Sequence, residues 1–138
     1  MSLPDALLLA NAAATWVMCG VIWFVQLVHY PLFRDYDRAA FRAAMLAHQA
    51  ATQKVVFPAM MTELVTALAL LAWPPLGIAA WVPWVGAALV GVWGFATVLV
   101  MVPLHERLAR DGFDEARHRR LVRWNWVRTA AWSVRGVG

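Results

Sequence analysis

The chain has 138 residues, of which 62 % are hydrophobic and only 14 % are charged, with twelve Lys and Arg against eight Asp and Glu. This length allows one domain, and this composition excludes an ordinary soluble domain. The net charge of +4 does not indicate a nucleic-acid partner, because the basic residues flank long apolar runs. The single Cys19 excludes redox chemistry by a cysteine pair.

Two apolar runs are longer than the roughly 20 residues that cross a bilayer. No charged residue lies between Asp5 and Arg34, or between Glu63 and Glu106. The stretch WPPLG at 73–77 divides the second run, because two prolines followed by glycine end a helix. Since an acid precedes the first run where a secretory signal carries basic residues, that run is predicted to be retained. The predicted spans are about 6–30, 55–73 and 81–104.

The remaining segments are predicted to be amphipathic helices. A polar helical extension from Phe41 precedes the second span, and Pro58 is expected to kink the helix at the membrane. Asp114 is a predicted N-cap for a last helix over about 114–135, which is rich in Trp and Arg. We therefore predict an all-α integral membrane protein, a single domain over 1–138 that forms an up-down four-helix bundle.

The basic residues predict how this bundle is oriented. Antiparallel helices place every Lys and Arg except Arg128 and Arg135 at one end. Positively charged loops stay on the cytoplasmic side of an inner membrane. The expected location is therefore the bacterial inner (cytoplasmic) membrane, crossed several times, with the basic loops cytoplasmic and the N-terminus outside.

Ionisable residues inside apolar spans are the first functional candidates, because each costs at least ~2.5 kcal/mol unless it is paired. Glu63 is the only acid within a span, and Arg128 is the only deep base of the last helix. We predict that they pair, directly or through water, and that Asn125 completes the hydrogen bonds. Such a pair either fixes helix packing or forms the polar floor of a site, and the sequence leaves both open.

Four histidines lie near one predicted end of the bundle: His29, His48, His105 and His118. On the first helix, Gln26, His29 and Tyr30 share a partly polar face. Histidine ligates metals and haem and exchanges protons near neutral pH, so one metal ion held by His29, His105 and either His48 or His118 is one interpretation. Interfacial histidines that hydrogen-bond to loops and headgroups are the alternative.

The tryptophans divide into two predicted groups. An aromatic belt at the outer interface is expected from Trp73, Trp81, Trp84 and Trp132. The second group consists of Trp16, Trp23, Trp93, Trp124 and Trp126. These tryptophans either fill space in the bundle or line a pocket for a flat aromatic or isoprenoid ligand.

Two stretches, VPLHERL at 102–108 and HRRLVRWNWVRTAAW at 118–132, resemble a group of small four-helix membrane proteins. This group of mostly uncharacterised bacterial and fungal proteins includes the anthrone oxygenases of aromatic polyketide pathways. The shared pattern is Thr97, then Pro103 with a polar residue two positions on, Leu108, and a last helix with Trp and Arg. HYPLF at 29–33 and PAMMTELVTA at 58–67 add to it, whereas His105 stands where the oxygenases usually have asparagine.

The resemblance implies an oxidoreductase, an oxygenase that uses O2 to convert an activated ring methylene into a ketone. Its substrate would be a lipophilic aromatic or quinone-like molecule, with His29 or His105 as the base and Arg128 among the groups that stabilise an enolate. The candidate catalytic residues are His29, Glu63, His105, Asn125 and Arg128. The candidate substrate contacts are Gln26, Tyr30, Trp93, Thr97 and Trp126.

Other classes stay open alongside this one. A non-catalytic membrane subunit would dock a cytoplasmic partner or anionic lipid through its arginine-rich loop. The third class is a small transporter or channel, although no internal inverted repeat is visible and so small a protomer would have to oligomerise to make a path. A haem- or metal-binding membrane protein is a further alternative, since a histidine before Tyr-Pro resembles the short haem-binding protoporphyrinogen oxidases in that single feature. The cofactor is left open between none, haem and a single metal ion. Membrane lipid and a lipophilic small molecule are expected partners, and a homo-oligomer or a partner subunit is compatible with the sequence.

Overall fold

All the secondary structure in the computed structural model, which describes residues 1–138, is helical. The four helices are α1 over Leu3–Asp35, α2 over Phe41–Ala72, α3 over Trp81–Asp111 and α4 over Glu115–Val137. The first three are each long and apolar enough to cross a membrane. The prediction of an all-helical fold with three candidate spans is therefore confirmed.

Local signals set the ends of the helices. Ser2 and Asp5 form a capping box that starts α1 three residues before the predicted span. Gly112, with φ of 86°, ends α3, and the Asp114 side chain then accepts a hydrogen bond from the Arg117 backbone N–H at 2.8 Å. The predicted N-cap of the last helix and the predicted turn at 73–77 are both confirmed.

Contacts between the helices show an up-down bundle. Asn11, early in α1, donates to Thr66, late in α2, at 2.8 Å. At the opposite end of the same pair, His29 lies 2.7 Å from His48, early in α2. Helices that follow one another in sequence pack together, and α1 also packs on α4, so the four helices close into a ring. We call the end that carries the four histidines the histidine end.

Two helices contain a widened turn just before a proline. Val25–His29 in α1 precedes Pro31, and Ala96–Met101 in α3 precedes Pro103; in each turn a backbone N–H reaches back five residues instead of four. Proline lacks an N–H, so the carbonyl four residues earlier loses its hydrogen bond, and the proline ring crowds that carbonyl. An extra residue in the turn gives the ring more room and lets the carbonyl groups find other N–H donors. The expected kink at Pro58 does not interrupt α2, which is continuous.

Exposed apolar side chains surround the bundle, as expected for contact with lipid. More than half of the surface of each of these side chains is exposed: Leu27, Phe57, Val65, Leu68, Val98 and Leu99. Inside, aromatic residues and methionines form two apolar clusters, one near Tyr30 and Phe41 and the other near Ile22 and Trp132.

A buried network of hydrogen bonds at the other end joins all four helices, and we call it the clasp. Glu63, which is fully buried, accepts from Thr15 at 2.6 Å, from the Trp132 indole N–H at 2.6 Å and from the Arg135 Nε at 3.3 Å. The remaining guanidinium nitrogens donate to the Gly86 carbonyl and to Asn11. The side chain of Arg135 is only 4 % exposed. The carboxylate and the guanidinium therefore compensate each other's loss of water.

The clasp corrects two expectations. Glu63 pairs with Arg135 and not with Arg128. Arg128 and Arg135 are seven residues apart, so they share a face of α4 and are separated by about 10 Å along the helix. The antiparallel register brings Arg135, and not Arg128, level with Glu63. Trp132, expected at the outer interface, is fully buried because its indole donates to Glu63. The other three expected belt residues are exposed: Trp73, Trp81 and Trp84.

Replacement of Arg135 by Met should destabilise the bundle, because it leaves the Glu63 carboxylate buried without a cation. We expect Arg135→Met to lower the free energy of unfolding by about 3–5 kcal/mol, and Arg34→Met, at an exposed arginine, to change it by less than about 0.5 kcal/mol. Chemical unfolding in detergent, followed by circular dichroism, measures both. Adding Glu63→Leu to Arg135→Met should recover part of the lost stability. Equal stability of Arg135→Met and Arg34→Met would show that the ion pair of the clasp does not stabilise the bundle.

Candidate functional site

A cavity of about 500 Å³ lies between α2 and α3 at the histidine end. Its wall is mainly apolar, with Met18, Ile22 and Val25 contributed by α1 and Met60 by α2. The only α4 residue that lines it is Arg128. A cavity of this size and polarity suits a small lipophilic molecule.

Arg128 brings a buried charge that forms no ion pair to this cavity, which Glu106 also lines. The residue is 6 % exposed, its Nε has no hydrogen-bond partner, and no acidic side chain forms an ion pair with it. Its guanidinium carbon lies 5.4 Å from the centre of the Trp132 ring, and the Tyr30 hydroxyl is close by. A buried guanidinium without an acid is costly, so its position on the wall of the cavity indicates an anionic or strongly polar ligand atom.

Three histidines lie together at the histidine end, and two of them, His48 and His105, line the cavity with Arg128. The His29 Nε2 is 2.7 Å from the His48 Nδ1, and the His48 ring stacks on His105, with 5.5 Å between ring centres and 17° between planes. The His105 Nδ1 donates to the Met101 carbonyl at 2.8 Å. Because that bond places the proton on Nδ1, the Nε2 of neutral His105 keeps a lone pair and can accept a proton.

The structure brings together three of the four histidines that are predicted as metal ligands. No group of three His, Cys, Asp or Glu side chains is disposed to hold a metal ion, although His29, His48 and His105 approach one another in pairs. His118 lies apart from them and its Nε2 donates to the Tyr30 backbone carbonyl at 2.7 Å. A structural role in joining α1 to α4 accounts for His118.

Gln26 and Asn125 form a separate buried bridge between α1 and α4. The Asn125 side-chain amide donates to the Gln26 carbonyl oxygen at 2.9 Å, and Gln26 donates to the Val122 backbone carbonyl at 3.3 Å. The expectation that Asn125 completes a Glu63–Arg128 pair is therefore wrong. Gln26 and Asn125 lie on the α1–α4 side of the bundle, whereas the cavity opens between α2 and α3.

Not every predicted substrate contact lines the cavity. Tyr30 and Thr97 do, together with His48, His105 and Arg128. Trp93 is buried against Trp132, with ring centres 5.0 Å apart, and does not line the cavity. Trp126 is 45 % exposed on the outer surface, where it meets the edge of Trp23. Glu63 belongs to the clasp.

Sequence reasoning missed a short polar stripe on α2. Thr52 lies 3.1 Å from the His48 Nδ1, and Gln49 and Gln53 line the cavity beside it. His48 and Thr52 are four residues apart, so they share one helix face. That spacing was the available signal, because the stripe lies in the polar extension that precedes the apolar run.

Arg128 and Arg135 should respond in opposite ways to the same substitution. We expect Arg128→Met to raise the free energy of unfolding by about 1–3 kcal/mol, because it removes a buried charge that has no partner. The clasp variant Arg135→Met, on the same helix face, is the matched comparison. Both are measured by unfolding of delipidated protein in one detergent. If Arg128→Met lost as much stability as Arg135→Met, the Arg128 charge would be stabilised by other groups of the protein, and the prediction would be wrong.

Comparison with known proteins adds no relative, since no family model, no curated protein and no solved structure matches the chain. The resemblance to the anthrone oxygenase-like group stays a prediction that depends on its motifs. Haem binding and the non-catalytic subunit likewise stay predictions.

Proposed function

We propose that the chain is a membrane-embedded oxidoreductase, an oxygenase of lipophilic aromatic or quinone-like substrates. The observation that carries the proposal is the buried Arg128, which has no acid partner and lines an apolar cavity together with His105. The apolar wall suits a flat ring system. The guanidinium suits an oxygen that becomes negatively charged, and the histidine suits removal of a proton.

The reaction begins with proton abstraction. The Nε2 of His105 takes a proton from a ring methylene that is activated by a carbonyl in conjugation with it, and the electron pair moves to the carbonyl oxygen. Arg128, with Tyr30 beside it, stabilises the resulting enolate. Because a guanidinium in an apolar cavity is poorly screened by water, its effect on the developing charge is large.

Dioxygen then oxidises the enolate. One electron passes from the enolate to O2, the two radicals combine at the former methylene carbon, and the protein returns the proton to give a hydroperoxide. Loss of water from the hydroperoxide leaves a ketone. One oxygen atom of O2 is retained in the product and the other leaves as water, so the four-electron reduction of O2 is balanced by oxidation of CH2 to C=O.

Two further histidines pack around His105, the proposed base. His48 stacks on His105 and lies within hydrogen-bond distance of His29, which is half-buried at the edge of the bundle. The His48 Nδ1 lies within hydrogen-bond distance of His29 and Thr52, so the stacked His48 ring packs against His105 without a hydrogen bond between the two rings. His48 and His29 are therefore positioning residues on this proposal, and His105 is the base.

The cavity would receive its substrate sideways from the bilayer. Phe57 and Val98, which line it, are 54 % and 64 % exposed on the apolar surface between α2 and α3. If the basic loops face the cytoplasm, as the positive-inside rule predicts, the cavity serves the cytoplasmic leaflet and the N-terminus lies outside. The proposed location is the inner (cytoplasmic) membrane of a bacterium.

Anthrone, whose ring methylene is activated by a conjugated carbonyl, is a suitable probe for protein in lipid nanodiscs. We expect wild type to convert anthrone and O2 into anthraquinone and water, with one atom of ¹⁸O2 in the product. His105→Ala and Arg128→Gln should each lower kcat by about 100-fold or more. Arg34→Gln makes the same chemical change at an exposed site and should keep the wild-type rate.

Anaerobic hydrogen–deuterium exchange at the anthrone methylene separates proton removal from the oxygen step. Wild type should accelerate the exchange, His105→Ala should abolish the acceleration, and Arg128→Lys should keep more of it than Arg128→Gln because it keeps the charge. Oxidation no faster than in buffer, or full activity of both cavity variants, would contradict the proposed function.

A further inference from the structure

The outward face of α4 carries a second concave feature, separate from the cavity. A broad groove of about 600 Å³ is lined by six residues: Ala116, Arg119, Arg120, Arg123, Trp124 and Val127. The buried face of α4 carries Arg128 and the clasp residues, so this groove points away from the bundle. None of its residues lines the cavity of the proposed reaction.

The groove is positively charged and poorly compensated. No acidic residue lines it. Arg119 is 3.5 Å from Glu115, but both side chains are about two-thirds exposed, and exposed pairs of this kind contribute little. Arg120 and Arg123 take part in no ion pair within 4.0 Å, and both are exposed. Two guanidinium groups within one helical turn are therefore free to bind an anion.

The chemistry of the same face changes along the helix. One turn after Arg123 comes Val127, which is 38 % exposed, and Val134 further on is 54 % exposed. Beside them Trp126, 45 % exposed, packs edge-on against Trp23. A charged end that continues into an apolar stripe has the same order as a phospholipid, in which an anionic headgroup precedes an acyl chain.

We propose that this groove is a binding site for an anionic phospholipid of the leaflet at the histidine end. Arg120 and Arg123 bind the phosphate and headgroup, and one acyl chain lies along Val127 and Val134. Guanidinium groups bind phosphate oxygens with two parallel hydrogen bonds. A zwitterionic headgroup binds them less well, because its own cation repels the arginines. The site is independent of the proposed reaction.

Native mass spectrometry of the full chain, released from a neutral detergent, tests the site with two lipids of equal acyl length, phosphatidylglycerol and phosphatidylcholine. We expect the wild-type protein to retain more phosphatidylglycerol than phosphatidylcholine. The double variant Arg120→Gln/Arg123→Gln should raise the Kd for phosphatidylglycerol by about 30-fold, at about fivefold for each arginine near an anionic surface. Arg120 and Arg123 are exposed, as are the two arginines of the control below, so all the variants should fold.

The matched control is Arg34→Gln/Arg107→Gln, which removes the same charge from exposed arginines outside the groove. Its Kd should stay within about twofold of wild type. Equal retention of the two lipids, or equal effects of the two double variants, would overturn the site and leave a diffuse basic surface. Competition by free glycerol 3-phosphate at the same concentration as the lipid would overturn the assignment to a membrane lipid, because the headgroup alone would then suffice.

Discussion

The buried ion pair between Glu63 and Arg135 is the constraint on which the rest of the bundle depends. Its partners come from all four helices, with Thr15 from α1 and the Gly86 carbonyl from α3. Neither charge is tolerable in an apolar interior unless the other is present, so the pair permits only one relative register of the helices. That register leaves Arg128 two turns away, on the cavity that His48 and His105 also line, without an ion pair to the only buried acid.

Two arginines on one helix face thus have different physical roles. Each of the three guanidinium nitrogens of Arg135 donates a hydrogen bond, so this arginine contributes specificity of packing, whereas Arg128 keeps an unpartnered nitrogen beside a cavity. A protein that tolerates an uncompensated buried charge loses stability at that point. Such a loss is typical of a ligand site, where the charge interacts with something that the fold itself does not supply.

The prolines connect the fold to the chemistry. The widened turns before Pro31 and Pro103 lie in the two helices that carry Tyr30 and His105, and both turns contribute residues to the cavity wall. Turns of this kind are frequent at functional sites because they rotate the following residues away from the helical sequence pattern. The site is therefore built at the irregular parts of α1 and α3, while the clasp lies in regular helix.

Local features of the sequence determined the helices and their ends. Apolar runs, the turn at 73–77, the Asp114 cap and the grouping of histidines at one end all follow from residues close in the chain or from the alternation of helix direction. The partner of Glu63 could not be found in this way, because Arg128 and Arg135 share a face and differ only in depth. Only the antiparallel register of the packed helices decided which arginine is satisfied, that Trp132 lies inside and Trp126 outside, and which side chains surround the cavity.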